Sequence, residues 1–156
     1  MLEHFETQPK EEMEMTTEEE VCAAAMRFYE GIDRMVSGKG VDLVKEAWEH
    51  SDRVTAGHPS GEWSQGWDEI LPAWELFASL GREDRGGSKV RGMKAHVYGD
   101  VAYTTCLFTI SPAFGGETIA CTNVLRKVDG TWKIIHHHAD KSPALGAMAE
   151  KFARGG

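Results

Sequence analysis

Three consecutive histidines, His136, His137 and His138, close the segment Thr131-Trp132-Lys133-Ile134-Ile135, and a fourth, His58, stands immediately before Pro59. Imidazole gives and takes protons near neutral pH without a large pKa shift, so an enclosed site built from these residues is equipped for acid–base chemistry. The triplet also offers a metal-binding pair, since His136 and His138 on a strand lie about 7 Å apart at Cα. His58 or Asp140 would have to complete that set. No spacing in the chain fixes a third ligand, so no metal is expected. Cys22, Cys106 and Cys121 lack metal-ligand spacing and sit in apolar patterns, which reads as reduced thiols of a cytoplasmic protein.

Strand alternation sorts these candidates. Trp132, Ile134, His136 and His138 fall on one face, and Lys133, Ile135 and His137 on the other. A two-residue turn at Asp129-Gly130 sets Leu125, Asn123 and Cys121 beside the first face, and Arg126, Val124 and Thr122 beside the second. The first face is a wall of apolar groups ending in a few convergent polar ones, the composition of a ligand pocket. Trp132, Asn123 and His136 are therefore expected to line it, with His138 as a candidate catalytic group and His137 turned outward. Asp140, two residues beyond His138, is placed to orient an imidazole or to pair with Lys141. Trp63, in the glycine- and serine-rich segment after His58, is free to cover the cavity mouth as a lid.

The elements that must hold these groups read clearly. Thr17-Glu18-Glu19-Glu20 has the form of a capping box, and Val21, Ala25, Phe28, Ile32 and Met35 recur at helical spacing until Ser37-Gly38. A short helix is expected over Val41 to Trp48 and a short strand over Arg53 to His58. A loop spans Pro59 to Gly66, and a third helix carries Trp67, Ile70, Trp74 and Phe77. Two hairpins follow, turning at Gly99-Asp100 and Asp129-Gly130, and His96 and Tyr103 face one another across the first. Helices followed by consecutive antiparallel strands define an α+β domain, and a strongly curved sheet wrapped around the long first helix, with two further helices, makes a cone enclosing a pocket.

Charge and length exclude other classes. The chain has 156 residues, one domain's worth, and a net charge of −8. Eight glutamates against Lys10 alone give residues 1 to 20 a charge of −7, which leaves −1 for the rest. Residues 1–16 thus form an acidic, solvated arm, residues 17–142 the folded domain, and residues 143–156 a short C-terminal helix or tail. There is no basic stripe for nucleic acid and no apolar run long enough to span a membrane.

The helix ending in Gly38-Lys39-Gly40-Val41-Asp42, the strand Val54-Thr55-Ala56-Gly57-His58-Pro59, the helix start Gly66-Trp67, the turn Gly99-Asp100-Val101-Ala102 and, above all, Asp129 to His136 resemble the nuclear transport factor 2-like superfamily. The likeness is to its SnoaL-like and ketosteroid isomerase-like branch. It implies the cone fold, a small hydrophobic ligand, no organic cofactor, and a homodimer formed through the sheet. In ketosteroid isomerase-like sequences the strand before the proline presents a general-base aspartate, and here His58 takes its place. Tyr29 occupies the position of a phenol that steadies a developing oxyanion. Catalysis of isomerase, dehydratase or cyclase type by His58, His138 and Tyr29 is one function the resemblance allows. A non-catalytic ligand-binding or association domain is the other.

Overall fold

A computed structural model of the chain describes residues 14–58, 62–140 and 143–155. Most of the acidic arm, residues 1–13, lies outside them. The first helix, α1 (Thr17–Val36), is capped one residue earlier than the sequence suggests. Thr16 is the N-cap, and its hydroxyl accepts the Glu19 amide at 3.2 Å. Thr16 and Glu19 have the same spacing as Thr17 and Glu20, so the sequence pattern alone could not separate the two starts. Glu18, Glu19 and Glu20 sit in the first turn, at the positive end of the helix. Val21, Ala25, Phe28, Tyr29 and Met35 form its buried stripe.

After α2 (Asp42–Ala47) come β1 (Thr55–Gly57), β2 (Trp63–Gln65) and α3 (Trp67–Ser79), which carries Pro72 inside it. Four long strands follow, β3 (Lys89–Tyr98), β4 (Val101–Thr109), β5 (Thr118–Val128) and β6 (Thr131–Asp140), then α4 (Pro143–Ala153). The sheet order is β2-β1-β6-β5-β4-β3. The four long strands are the expected antiparallel meander, but the sheet is mixed, because β1 runs parallel to β6 with Thr55 opposite His136 and Gly57 opposite His138. The segment expected as a loop from Pro59 to Gly66 contains β2, an antiparallel partner of β1; Pro59 to Gly61 lie outside the described residues. A side chain at Gly57 would come within 2.6 Å of the Trp63 ring, so the missing Cβ is what lets the indole lie on β1.

Two bulges bend this sheet around α1, which packs against β3, β4 and β6. Between β3 and β4 the register passes from Arg91 opposite Leu107 to Lys94 opposite Thr105, so Gly92 and Met93 share one partner, with Gly92 at φ 68°. Between β5 and β6 it passes from Leu125 opposite Ile134 to Val124 opposite His136, leaving Ile135 as the extra residue. The hairpin turn is not the cause, since Asp129 and Gly130, at φ 51° and 79°, make the tight two-residue connection expected of them. The Ile135 bulge overturns the alternation expected along β6. Trp132, Ile134, His137 and Ala139 are buried, and His136 and His138 turn to the other face.

Deletion of Ile135 tests this account. It restores a continuous ladder in which Ile134 and His137 still point inward. The shortened chain should fold, destabilised by about 1–3 kcal/mol in a denaturant titration, with His137 still silent in an NMR titration from pH 5 to 8. A His137 that titrates near pH 6.5 would mean that the strand had flipped.

Candidate functional site

The inner surface of the cone is a stack of residue rows read across three strands. Ile134, Leu125 and Ala102 form a dry row; His137, Asn123 and Thr104 form the next; Ala139, Cys121 and Cys106 follow; Ile119 and Phe108 come last. A cavity of about 310 Å³ opens over the later rows. Its walls are mainly apolar, with Tyr29 and Met35 from α1, Trp74 from α3, and Phe108 and Ile119 from the sheet. His58, His137 and Ser111 are among its polar side chains.

His137 is 3% exposed and is held on three sides. The Phe28 ring meets it edge-on at 5.0 Å, and the Trp74 and Tyr29 rings lie 6.4 Å away. Its Nδ1 lies 2.6 Å from Asn123 Oδ1. Asn123 donates from Nδ2 to Tyr29 Oη at 2.9 Å and to Thr104 Oγ1 at 3.3 Å. Its Oδ1 can then only accept, so His137 Nδ1 carries the proton and Nε2 holds the free lone pair. Burial lowers the pKa of His137 to about 3, with His58 and the two flanking histidines adding to the effect. Tyr29 is pushed the other way, chiefly by burial, and stays a neutral phenol.

His58 follows β1 and reaches the same cavity. Its ring lies 6.0 Å from His137 and 5.3 Å, edge-on, from Trp74. Burial also depresses its pKa, so it too is uncharged at neutral pH. Two further polar atoms face an unmet need. Trp74 Nε1 and Ser111 Oγ belong to cavity-lining residues, and both are buried with no hydrogen-bond partner among the described residues. Each such orphan costs roughly 1–3 kcal/mol.

Of the residues expected at the site, the structure brings His58, Tyr29 and Asn123 together, with Asn123 directly behind His137. The others lie elsewhere. His136 and His138 are on the outer face, where Thr55 Oγ1 lies 2.5 Å from His136 Nδ1 and His138 Nε2 is 3.8 Å from Asp140 Oδ2. Trp63 is 56% exposed and packs over these two imidazoles at 5.5 and 5.1 Å; it is absent from the cavity wall and is not a lid. Trp132 is buried beside a separate recess formed with α1 and α2. His137 itself was expected to face outward. The one signal for its true direction is the aliphatic pair Ile134-Ile135, which interrupts alternation and so permits a change of phase. Ser111 and the indole nitrogen of Trp74 carry no sequence signal of their own. Among the described residues, no three histidine, cysteine, aspartate or glutamate side chains gather to hold a metal ion. None of the described helices is long and apolar enough to cross a membrane.

The fold recurs in known proteins. A nuclear transport factor 2-like structure from Streptomyces avermitilis, provisionally named a dehydratase, is 25% identical and superposes with a TM-score of 0.65 over 81% of this chain and 96% of its own. A provisionally assigned calcium/calmodulin-dependent protein kinase type II association domain from Thiobacillus denitrificans is 22% identical, with a TM-score of 0.63 over 77% and 93% of the two chains. The F-box protein SKIP8 of Arabidopsis thaliana is 25% identical over 105 residues, 67% of this chain but 44% of the plant protein, so this chain matches less than half of that relative. The model of the SnoaL-like domain matches residues 23–144, from the second turn of α1 into α4. Spanning that much of the cone, the match makes this chain a member of the SnoaL-like domain family.

Proposed function

We propose that the cavity binds a small, mainly apolar organic molecule carrying an oxygen function, and that His58 moves a proton on it. The observation that carries this reading is the meeting of two neutral imidazoles, His58 and His137, at the wall of an otherwise apolar cavity. The volume suits a small ligand. The likeness to a provisionally named dehydratase supports a lyase or isomerase type of reaction.

The two histidines divide the work by basicity. Protonating His137 at pH 7 against a pKa of about 3 costs about 5 kcal/mol, so its Nε2 accepts a hydrogen bond and does not take a proton. His58, less deeply buried, is the better proton carrier. Trp74 Nε1 and Ser111 Oγ are donors for the ligand's oxygen, and they take the charge-stabilising place that the resemblance assigns to Tyr29. Tyr29 instead supports Asn123 from behind. The free cysteines favour a cytoplasmic setting. A homodimer through the outer sheet face is supported by the stacked His96 and Tyr103 rings, 4.8 Å apart, and by exposed Tyr98, Val101 and Leu107.

Three outcomes are expected. A panel of apolar ketones, lactones and hydroxy compounds should contain members that raise the melting temperature. With any that turn over, His58→Ala should keep binding and lose about 10²–10⁴ in kcat, while His137→Leu should weaken binding itself. Binding without turnover across the panel would favour a binding module. Stability should fall with acidification, because the unfolded chain takes up the His137 proton near pH 6.5 whereas the folded chain refuses it until about pH 3. Between those values this group removes about 1.4 kcal/mol per pH unit, and His137→Gln should flatten the curve relative to the parent. Light scattering should give twice the chain mass, and Tyr103→Glu should halve it.

A further inference from the structure

The row above His137 holds two thiols that the proton chemistry does not use. Cys106 on β4 and Cys121 on β5 are direct cross-strand partners. Both are free, both are buried, and Cys121 lines the cavity. Opposed residues of an antiparallel pair lie about 4.5 or 5.5 Å apart at Cα, depending on the kind of pair. Either value falls within the range of about 4.4–6.8 Å that a disulfide spans. Both side chains point the same way, into the cone, as strand alternation requires of opposed residues. The Asn123 row lies on one side and the Phe108–Ile119 row on the other, so the pair sits between the polar base of the cavity and its apolar mouth.

We infer that Cys106 and Cys121 form a reversible dithiol site at the cavity, Cys121 in its wall and Cys106 directly beside it, which a small hydroperoxide entering the cavity oxidises to a cross-strand disulfide. Cys106 is the attacking sulfur. The polar neighbours Cys121 and Tyr29 lower its pKa to about 7, against the effect of burial, while that of Cys121, whose thiol lies 4.0 Å from the Ile119 carbonyl oxygen, is raised. The Cys106 thiolate displaces hydroxide from the peroxide oxygen and becomes a sulfenic acid. The Cys121 sulfur, giving up its proton, then displaces the second hydroxide and closes the S–S bond. With hydrogen peroxide, two thiols are oxidised, one peroxide is reduced, and two waters leave. Cys121 needs no movement of its strand to resolve the sulfenic acid, which limits oxidation beyond that stage. Tyr29 neighbours this pair and accepts the hydrogen bond from Asn123, so a change in charge at Cys106 reaches the support of Asn123 and His137. A dithiol of this kind suits a reducing compartment, where disulfides that do form are usually transient and redox-responsive.

The test uses the full chain in its reduced form, treated with hydrogen peroxide near stoichiometry, quenched, digested and mapped by mass spectrometry without reductant. The expected result is a loss of about 2 Da, carried by a linked pair of peptides containing Cys106 and Cys121 and reversed by dithiothreitol. The same link should form in Cys22→Ser. Peroxide that leaves the two thiols unlinked, drives Cys106 to sulfinic acid beside an unreacted Cys121, or links either one through Cys22 would overturn the inference. Because the readout is on the unmutated pair, it does not depend on whether a variant at either position folds, nor on any ligand of the cavity.

Discussion

The hydrogen bond from His137 Nδ1 to Asn123 Oδ1 is the contact on which the interior depends. An imidazole among Phe28, Trp74 and Trp48 cannot keep a charge, and a neutral one still carries an N–H that must be satisfied. Asn123 meets that need because its own amide is already committed, donating to Tyr29 and Thr104. The four groups come from α1, β4, β5 and β6, so one amide side chain ties the central helix to three strands. A buried polar cluster contributes specificity when every member is satisfied and costs stability when one is not. This cluster is satisfied except at His137 Nε2, for which no partner exists among the described residues. The exception is where a ligand would be met.

The imidazole reaches Asn123 because Ile135 is bulged out of the ladder. Were Ile135 kept in a regular ladder, strict alternation would set His136 and His138 inward and leave Asn123 facing a different neighbour. The same residue therefore decides both faces of the sheet. Turned outward, His136 and His138 meet Thr55 and the Trp63 ring, and it is there that β1 adds itself parallel to β6. A one-residue shift exchanges every side chain between the two faces of a strand, and here it does so only for the second half of β6.

This also explains what could be read in advance. The helices, the four long strands, their turns and the inward set on β5 all follow from periodicity, because nothing interrupts the alternation from Ile119 to Leu125. Two features had no comparable signal. β2 is three residues long, too short for a pattern, and the parallel pairing of the expected short strand β1 with β6 is a long-range event. The bulged residue is the second of two adjacent isoleucines of equal hydrophobicity, so neither phase of the strand is preferred by composition. Tyr29 and Asn123 were legible because each sits in an element without such a break, and His58 because it follows a short β-branched strand just before Pro59. His137 was not, since its direction is set by its partner on β5 and not by its own neighbours in sequence.

The row order then gives the cavity a gradient of chemistry with depth. Nearest the closed end, the Ile134, Leu125 and Ala102 row excludes water and strengthens the polar row beside it. Beyond that lie a neutral imidazole too weakly basic to be protonated, then a thiol pair, then an aromatic and aliphatic rim. His58 enters from β1 at the level of His137 and is the one imidazole here that burial leaves within reach of solvent. In the proposed function a proton is exchanged through His58 while His137 stays neutral and oriented. The arrangement separates two properties that a single histidine cannot combine, since the burial that fixes an imidazole's position also removes its basicity.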